Sequence, residues 1–149
     1  MPGTLARNTT GETGMSSALE DKDAIREVLA EYCFCLDGGR FAEMAALFAP
    51  DGTWHTAFGR ATGCADIEAL ANRVANRAGR RPRGAHLVTN IVIKLAGDRA
   101  LVASNWALAQ NSPNGPIVSS GGVYADEMIK RDGNWLFHYR KIDRFIAAD

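Results

Sequence analysis

No stretch of this 149-residue chain stays apolar long enough to span a membrane. Neither sign of charge dominates, because 17 Lys and Arg balance 17 Asp and Glu. A neutral chain lacks the basic surface that nucleic acid or an anionic membrane requires, so neither is expected as a partner. Cysteine is scarce: there are three, and no two form a CxxC pair. Cys33 and Cys35 are two apart, about 200° around a helix axis, and so face different ways. Cys64 stands alone. This pattern argues against a zinc cluster or a redox dithiol and fits a reducing, cytoplasmic setting. No ligand cluster of any other kind is spaced for a metal, so neither metal nor cofactor is expected. There is no internal repeat.

What is present is a core. Hydrophobic residues make up 46% of the chain, enough for one ordinary folded domain. The start, Met1 to Ser17, is polar and rich in Gly and Thr, without the apolar run of a signal peptide. Residues 1–18 are expected to form a disordered tail and residues 19–149 a single domain. Met15 is an alternative start.

The apolar residues Ile25, Val28, Leu29, Tyr32 and Leu36 recur at helical spacing, and Gly38-Gly39 stops that helix. A short second helix fits Phe41 to Phe48, before Pro50. Asp51-Gly52 reads as a turn and Thr53 to Phe58 as a strand. Asp66 caps a third helix that runs to Ala78, and Gly79 to Gly84 is a basic loop. The period then changes to that of strands: Ala85 to Leu95, Ala100 to Gln110, Ile117 to Lys130 and Asn134 to Ile146. Gly97-Asp98 and Asp132-Gly133 mark hairpins, and Asn111 to Pro116 a plain loop. Gly121-Gly122 inside a strand signals a bulge or sharp bend. The order predicts an α+β domain. Its cone-shaped, curved antiparallel or mixed sheet packs against three N-terminal helices, and an apolar cone makes a small-molecule pocket.

Two residues carry the chemistry. Asp37 ends the first helix, where the negative end of the helix dipole disfavours an acid. His86 opens the first long strand. A carboxylate that orients an imidazole is a ready-made general base, and an acid at a helix C-terminus needs such a reason to be there. Arg140 and Arg144 are four apart on the last strand and share a face with His138 and Ile142. Tyr139, Lys141 and Asp143 lie on the other face. Trp54, Phe58, Trp106 and Leu108 serve as core or as pocket wall, and in a cone the two coincide. Asn90 has the strand parity of His86 and is expected to look inward, where it needs a partner. Arg73, Arg77, Arg80, Arg81 and Arg83 form a basic patch, read as a solvated face or an entrance for an anionic group.

Taken in order, the motifs are Tyr32-x4-Asp37-Gly38, Leu47-Phe48-Ala49-Pro50-Asp51-Gly52-Thr53-Trp54, His86-x3-Asn90 and Arg131-Asp132-Gly133-Asn134-Trp135. This set resembles the SnoaL-like branch of the nuclear-transport-factor-2-like superfamily over about Glu20 to Ile146. Within it, the resemblance is to Asp–His dyad enzymes: bile acid 7α-dehydratase, scytalone dehydratase and hexachlorocyclohexane dehydrochlorinase. It implies a cofactor-free lyase acting on a small hydrophobic substrate of steroid or polyketide type. Asp37 and His86 would form the dyad, and Tyr32 would donate to a substrate oxygen. The bile acid enzymes place a catalytic arginine on Arg144, whereas the dehydrochlorinase places it on Arg140 and a pocket tryptophan on Trp54. Phe58, Asn90, Trp106 and Leu108 would contact substrate. A related cyclase or isomerase, with no leaving group, and a non-catalytic binding domain are the competing readings. A homo-oligomer, trimer or dimer, is implied as well. Tyr32 stays open between a substrate donor and a core aromatic with its hydroxyl satisfied.

Overall fold

The computed structural model describes residues 16–76 and 84–147. The chain runs α1 (Ala18–Asp37), α2 (Phe41–Ala46), β1 (Phe48–Thr56), β2 (Gly59–Thr62), α3 (Cys64–Asn76), β3 (Gly84–Ala96), β4 (Arg99–Ser112), β5 (Gly115–Arg131) and β6 (Asn134–Ala147). The strands form one six-stranded sheet in the order β2-β1-β6-β5-β4-β3. All neighbouring pairs are antiparallel except β1 with β6, which is parallel. The α+β class is as expected, with one correction. The strand expected before the third helix is there as β1, but a second one, β2, follows it before α3, so the helices are not grouped ahead of the sheet.

α1 starts at a capping box. The Ser17 hydroxyl accepts from the Glu20 N–H, and the Glu20 carboxylate accepts from the Ser17 N–H. Ser16 bonds Asp21 and Lys130, so Ser16 to Ala18 belong to the fold rather than to a tail. Asp21 also accepts from the Trp135 indole at 2.9 Å and pairs with Lys130 at 2.9 Å, which ties the first turn of α1 to the sheet. Ile25, Leu29, Tyr32 and Cys33 face the core from α1.

α2 is shorter than expected. Phe48 leaves the helix to begin β1, and its ring packs against Phe137 at 5.0 Å. α3 begins two residues earlier than expected, after Gly63 at φ +87°, and Asp66 lies in its first turn rather than at the cap. The expected end of that helix at residues 77–78 and the basic loop over 79–83 lie outside the described residues, as do Arg77, Arg80, Arg81 and Arg83. Arg73 is exposed on α3. Asn111 to Pro116 is hardly a loop, since β4 and β5 run on to Ser112 and from Gly115.

Register shifts bend the sheet. One falls between Gly121 and Gly122 on β5, where the glycine pair was expected to mark a bend. A Cβ on Gly122 would lie 1.9 Å from the Asp143 carbonyl oxygen, so only glycine allows β6 this close. Others fall after Thr89 on β3 and at His138 on β6. Bulges of this kind curve a sheet and re-aim its side chains.

Cross-strand pairs order the inner face into rows from rim to apex. His86, Leu108 and Ser120 form the first row, and Val88, Trp106, Gly122 and Arg144 the second. Ser104, Tyr124 and Ile142 form the third, then Ile93, Val102, Asp126 and Arg140, with Leu95, Ala100, Met128 and Phe137 at the apex. Leu87, Val92 and Leu101 alternate with these rows and are exposed on the outer face. Among the described residues, no helix is long and apolar enough to cross a membrane.

Candidate active site

The structure brings Asp37 and His86 together at the rim. Asp37 is the last residue of α1, and Gly38 closes that helix with its N–H on the Phe34 carbonyl. His86 is the third residue of β3. Its Nδ1 lies 2.5 Å from Asp37 Oδ1, and its backbone N–H donates to Asp37 Oδ2 at 2.8 Å. Both carboxylate oxygens are thus held by one residue. These two bonds offset the repulsion between the acid and the helix C-terminus. An ionised carboxylate only accepts, so Nδ1 carries the proton and Nε2 presents its lone pair. Nε2 has no hydrogen-bond partner among the described residues. The side chains are 16% and 20% exposed, so the pair is sheltered yet reachable. The Trp106 ring stands 6.0 Å from the imidazole as one wall, its indole N–H spent on the Asp143 carbonyl at 3.2 Å. Leu108 is paired with His86 across the sheet and forms the adjoining wall.

The two arginines part company. Arg140 is fully buried in the fourth row and forms a bidentate pair with Asp126 at 2.8 and 2.9 Å, both side chains 0% exposed. Three rings enclose its guanidinium: Tyr32 at 4.2 Å, Tyr124 at 4.0 Å and Phe137 at 4.2 Å. Burial pulls against its charge, but the Asp126 carboxylate outweighs burial and holds the guanidinium above its ordinary pKa. Arg140 is therefore structural, which corrects its place among the catalytic candidates. Arg144 lies two rows nearer the rim. Its Nε donates to the Ser120 hydroxyl at 2.8 Å, and its guanidinium stands 5.7 Å from the Phe58 ring. Its two terminal nitrogens have no partner among the described residues. Phe58, 40% exposed, belongs to the rim rather than to an inner wall.

Three further expectations change. Tyr32 is wholly buried, and its hydroxyl accepts the Trp54 indole N–H at 3.0 Å. Burial raises its pKa. Of its two readings, the core aromatic is the one this geometry fits, and Trp54 joins it there rather than lining a pocket. Asn90 does not look inward. The β3 bulge places it at φ 54°, and its amide donates to Asn105 at 2.9 Å on the exposed side. His138 does not share the face of Arg140, because β6 bulges at that residue and turns it toward Asp51 and Glu127. Parity fails wherever a strand gains an unpaired residue.

Sequence reasoning passed over Asp126 and Tyr124. Their signal was an acid between Tyr124 and Met128 at inward strand positions, where a carboxylate has to find a cation. Elsewhere, Glu31, Cys35 and Glu43 converge within 4.8 Å. Arg40 already neutralises that group, at 2.6 Å from Glu43 and 3.4 Å from Glu31. A groove of about 530 Å³ runs along the outer side of α1, lined by Val28, Phe34, Leu47 and Trp135 among others, and shares no residue with the dyad.

Residues 17–141 match the SnoaL-like domain family. The chain belongs to that family. No curated protein sequence matches it. Among solved structures, this SnoaL-like chain is similar to a Mycobacterium tuberculosis protein of unknown function, at 26% identity and a TM-score of 0.75 over 84% of this chain and 76% of that one. It is also similar to a candidate scytalone dehydratase from Novosphingobium aromaticivorans, at 24% identity and TM-score 0.70 over 88% and 90% of the two chains. A Nostoc punctiforme protein of unknown function with a cystatin-like fold matches at 23% identity and TM-score 0.76 over 87% and 93%. The last two likenesses speak to the fold alone.

Proposed function

We propose that this SnoaL-like protein is a cofactor-free lyase of the dehydratase kind, with a small hydrophobic organic molecule as substrate. The observation that carries this reading is the double hydrogen bond from His86 to Asp37, which leaves imidazole Nε2 bare at a sheltered rim. His86 Nε2 removes a proton from a carbon next to an electron-withdrawing group, and the imidazole becomes imidazolium. Asp37 keeps the ring in place and balances the arriving charge. The electron pair of the broken C–H bond forms the new double bond, and the leaving group departs from the neighbouring carbon, either as halide or as a hydroxyl that takes the proton back from the imidazolium and leaves as water. Arg144, with its terminal nitrogens unengaged, stabilises the oxygen or leaving group on which charge gathers.

A cyclase or isomerase uses the same base, since the dyad supplies proton removal and does not by itself require a leaving group. Product mass separates the two: loss of water or halide against no change. A non-catalytic domain would use the same pair only to tie α1 to β3. The reading includes a homo-oligomer in the cytoplasm, with neither nucleic acid nor membrane as partner. The outer-face residues Leu87, Val92 and Leu101 are where a second copy would seat.

The test is turnover of β-hydroxy ketones of steroid and polyketide type, followed by mass spectrometry, with wild type and His86→Ala side by side. We expect dehydration by wild type and a loss on the order of 100-fold or more in the variant, with its melting temperature little changed. Equal turnover by the two proteins removes the dyad mechanism.

A further inference from the structure

Tyr124 is the residue this site leaves unexplained. It sits in the third row of the inner face and is 1% exposed. Its hydroxyl makes no hydrogen bond among the described residues. A buried hydroxyl without a partner is unfavourable, and the same ring without the oxygen would fit an apolar core better. Nor is the oxygen sealed. The shielded, unpartnered side-chain atoms among the described residues are Ser104 Oγ, His138 Nδ1 and Arg140 Nη1, and Tyr124 Oη is not one of them.

The ring is held from several sides. It stacks on Trp106 at 5.6 Å and 12°, meets Tyr32 edge-on at 6.0 Å, and lies under the Arg140 guanidinium at 4.0 Å. Trp106 in turn stands 6.0 Å from the His86 ring. One indole therefore stands between the base and the tyrosine. The electrostatic neighbours agree. Burial pushes the Cys33 thiol up to about 11, and that thiol, one helical turn before Asp37, senses both Arg140 and the Asp37 carboxylate. The Tyr124 hydroxyl lies close enough to Cys33 to feel its charge. Burial holds its pKa well above 10, so it keeps its proton across the working range of a histidine base.

We propose that Tyr124 is a further catalytic residue: its hydroxyl donates a hydrogen bond to the substrate oxygen on which negative charge develops as His86 takes the proton. This rests on the elimination reading above and narrows its substrate class to carbonyl compounds that pass through an enolate. The proton stays on the tyrosine throughout. Tyr32 cannot fill this role, because it is wholly buried with Trp54 on its oxygen.

The test uses 4-nitrophenolate, a planar oxyanion that mimics the enolate and reports its own ionisation by colour. Wild type should bind the phenolate in preference to the neutral phenol. Tyr124→Phe should lose about tenfold or more of that affinity, as expected for a hydrogen bond to a charged oxygen, while its melting temperature holds or rises. His86→Ala should still bind phenolate while losing turnover, so a failure of the base and a failure of the donor are read separately. Equal phenolate affinity in Tyr124→Phe and wild type overturns the proposal. So does a wild type that does not bind phenolate, or a loss that follows Tyr32→Phe instead of Tyr124→Phe.

Discussion

Two ion pairs of opposite kind lie on one concave face. At the rim, Asp37 and His86 are 20% and 16% exposed, and one imidazole nitrogen is left without a partner. Two and three strands away and three rows deeper, Asp126 and Arg140 are 0% exposed, with the guanidinium boxed in by three rings. The deep pair is sealed from solvent, the unpartnered Arg140 Nη1 included, so it specifies packing. The rim pair keeps one group in reserve within reach of solvent. What separates chemistry from architecture here is which polar atoms are left over and whether anything can reach them. Charge type alone does not. The same contrast divides the tyrosines, since the Tyr32 oxygen is occupied and that of Tyr124 is free.

The comparison can be broken first at the deep pair. Asp126→Asn removes the counter-charge from a buried guanidinium, and we expect a loss of about 3 kcal/mol or more, read by urea denaturation. A loss near zero would mean that the pair is not sealed. At the rim the balance should invert. Asp37→Asn should leave urea stability nearly unchanged and lower turnover on the order of 100-fold, because an amide cannot hold and balance the imidazolium as a carboxylate does. A large stability loss with intact turnover would make the rim pair architectural too.

The third pair, Asp21 with Lys130, lies between these regimes with side chains 14% and 18% exposed. Hydrogen bonds from Lys130, Trp135 and Ser16 hold the Asp21 carboxyl down to about 2. A folded-state pKa below the unfolded one gives stability that is full above the ordinary carboxylate range. It is lost as pH falls from about 4 to about 2. Asp21→Asn should therefore flatten the acid limb of a melting-temperature profile in that window. An unchanged limb would place the acid sensitivity on other carboxylates.

Local pattern carried much of this. The α1 stripe, the Gly38-Gly39 stop, the hairpin glycines and the Gly121-Gly122 bend all follow from short-range rules of spacing and backbone freedom, and the structure has them where those rules put them. The order of motifs was enough to indicate the SnoaL-like family. The sequence also pointed to Asp37, because a helix C-terminus disfavours an acid. The inner-facing residues were legible only in part. Parity put Asn90 and His138 on the wrong side, since a bulge is one extra residue that no periodicity announces. Parity also grouped Arg140 with Arg144 and had no measure of depth.

Composition, period and turn chemistry thus determined the elements and the fold class, because these act between residues close in the chain. Tertiary structure decided which charges are sealed and which are left free. Asp126 meets Arg140 across 14 residues, and Asp37 meets His86 across 49. Whether a polar atom ends up paired depends on partners that only the curved sheet brings within reach.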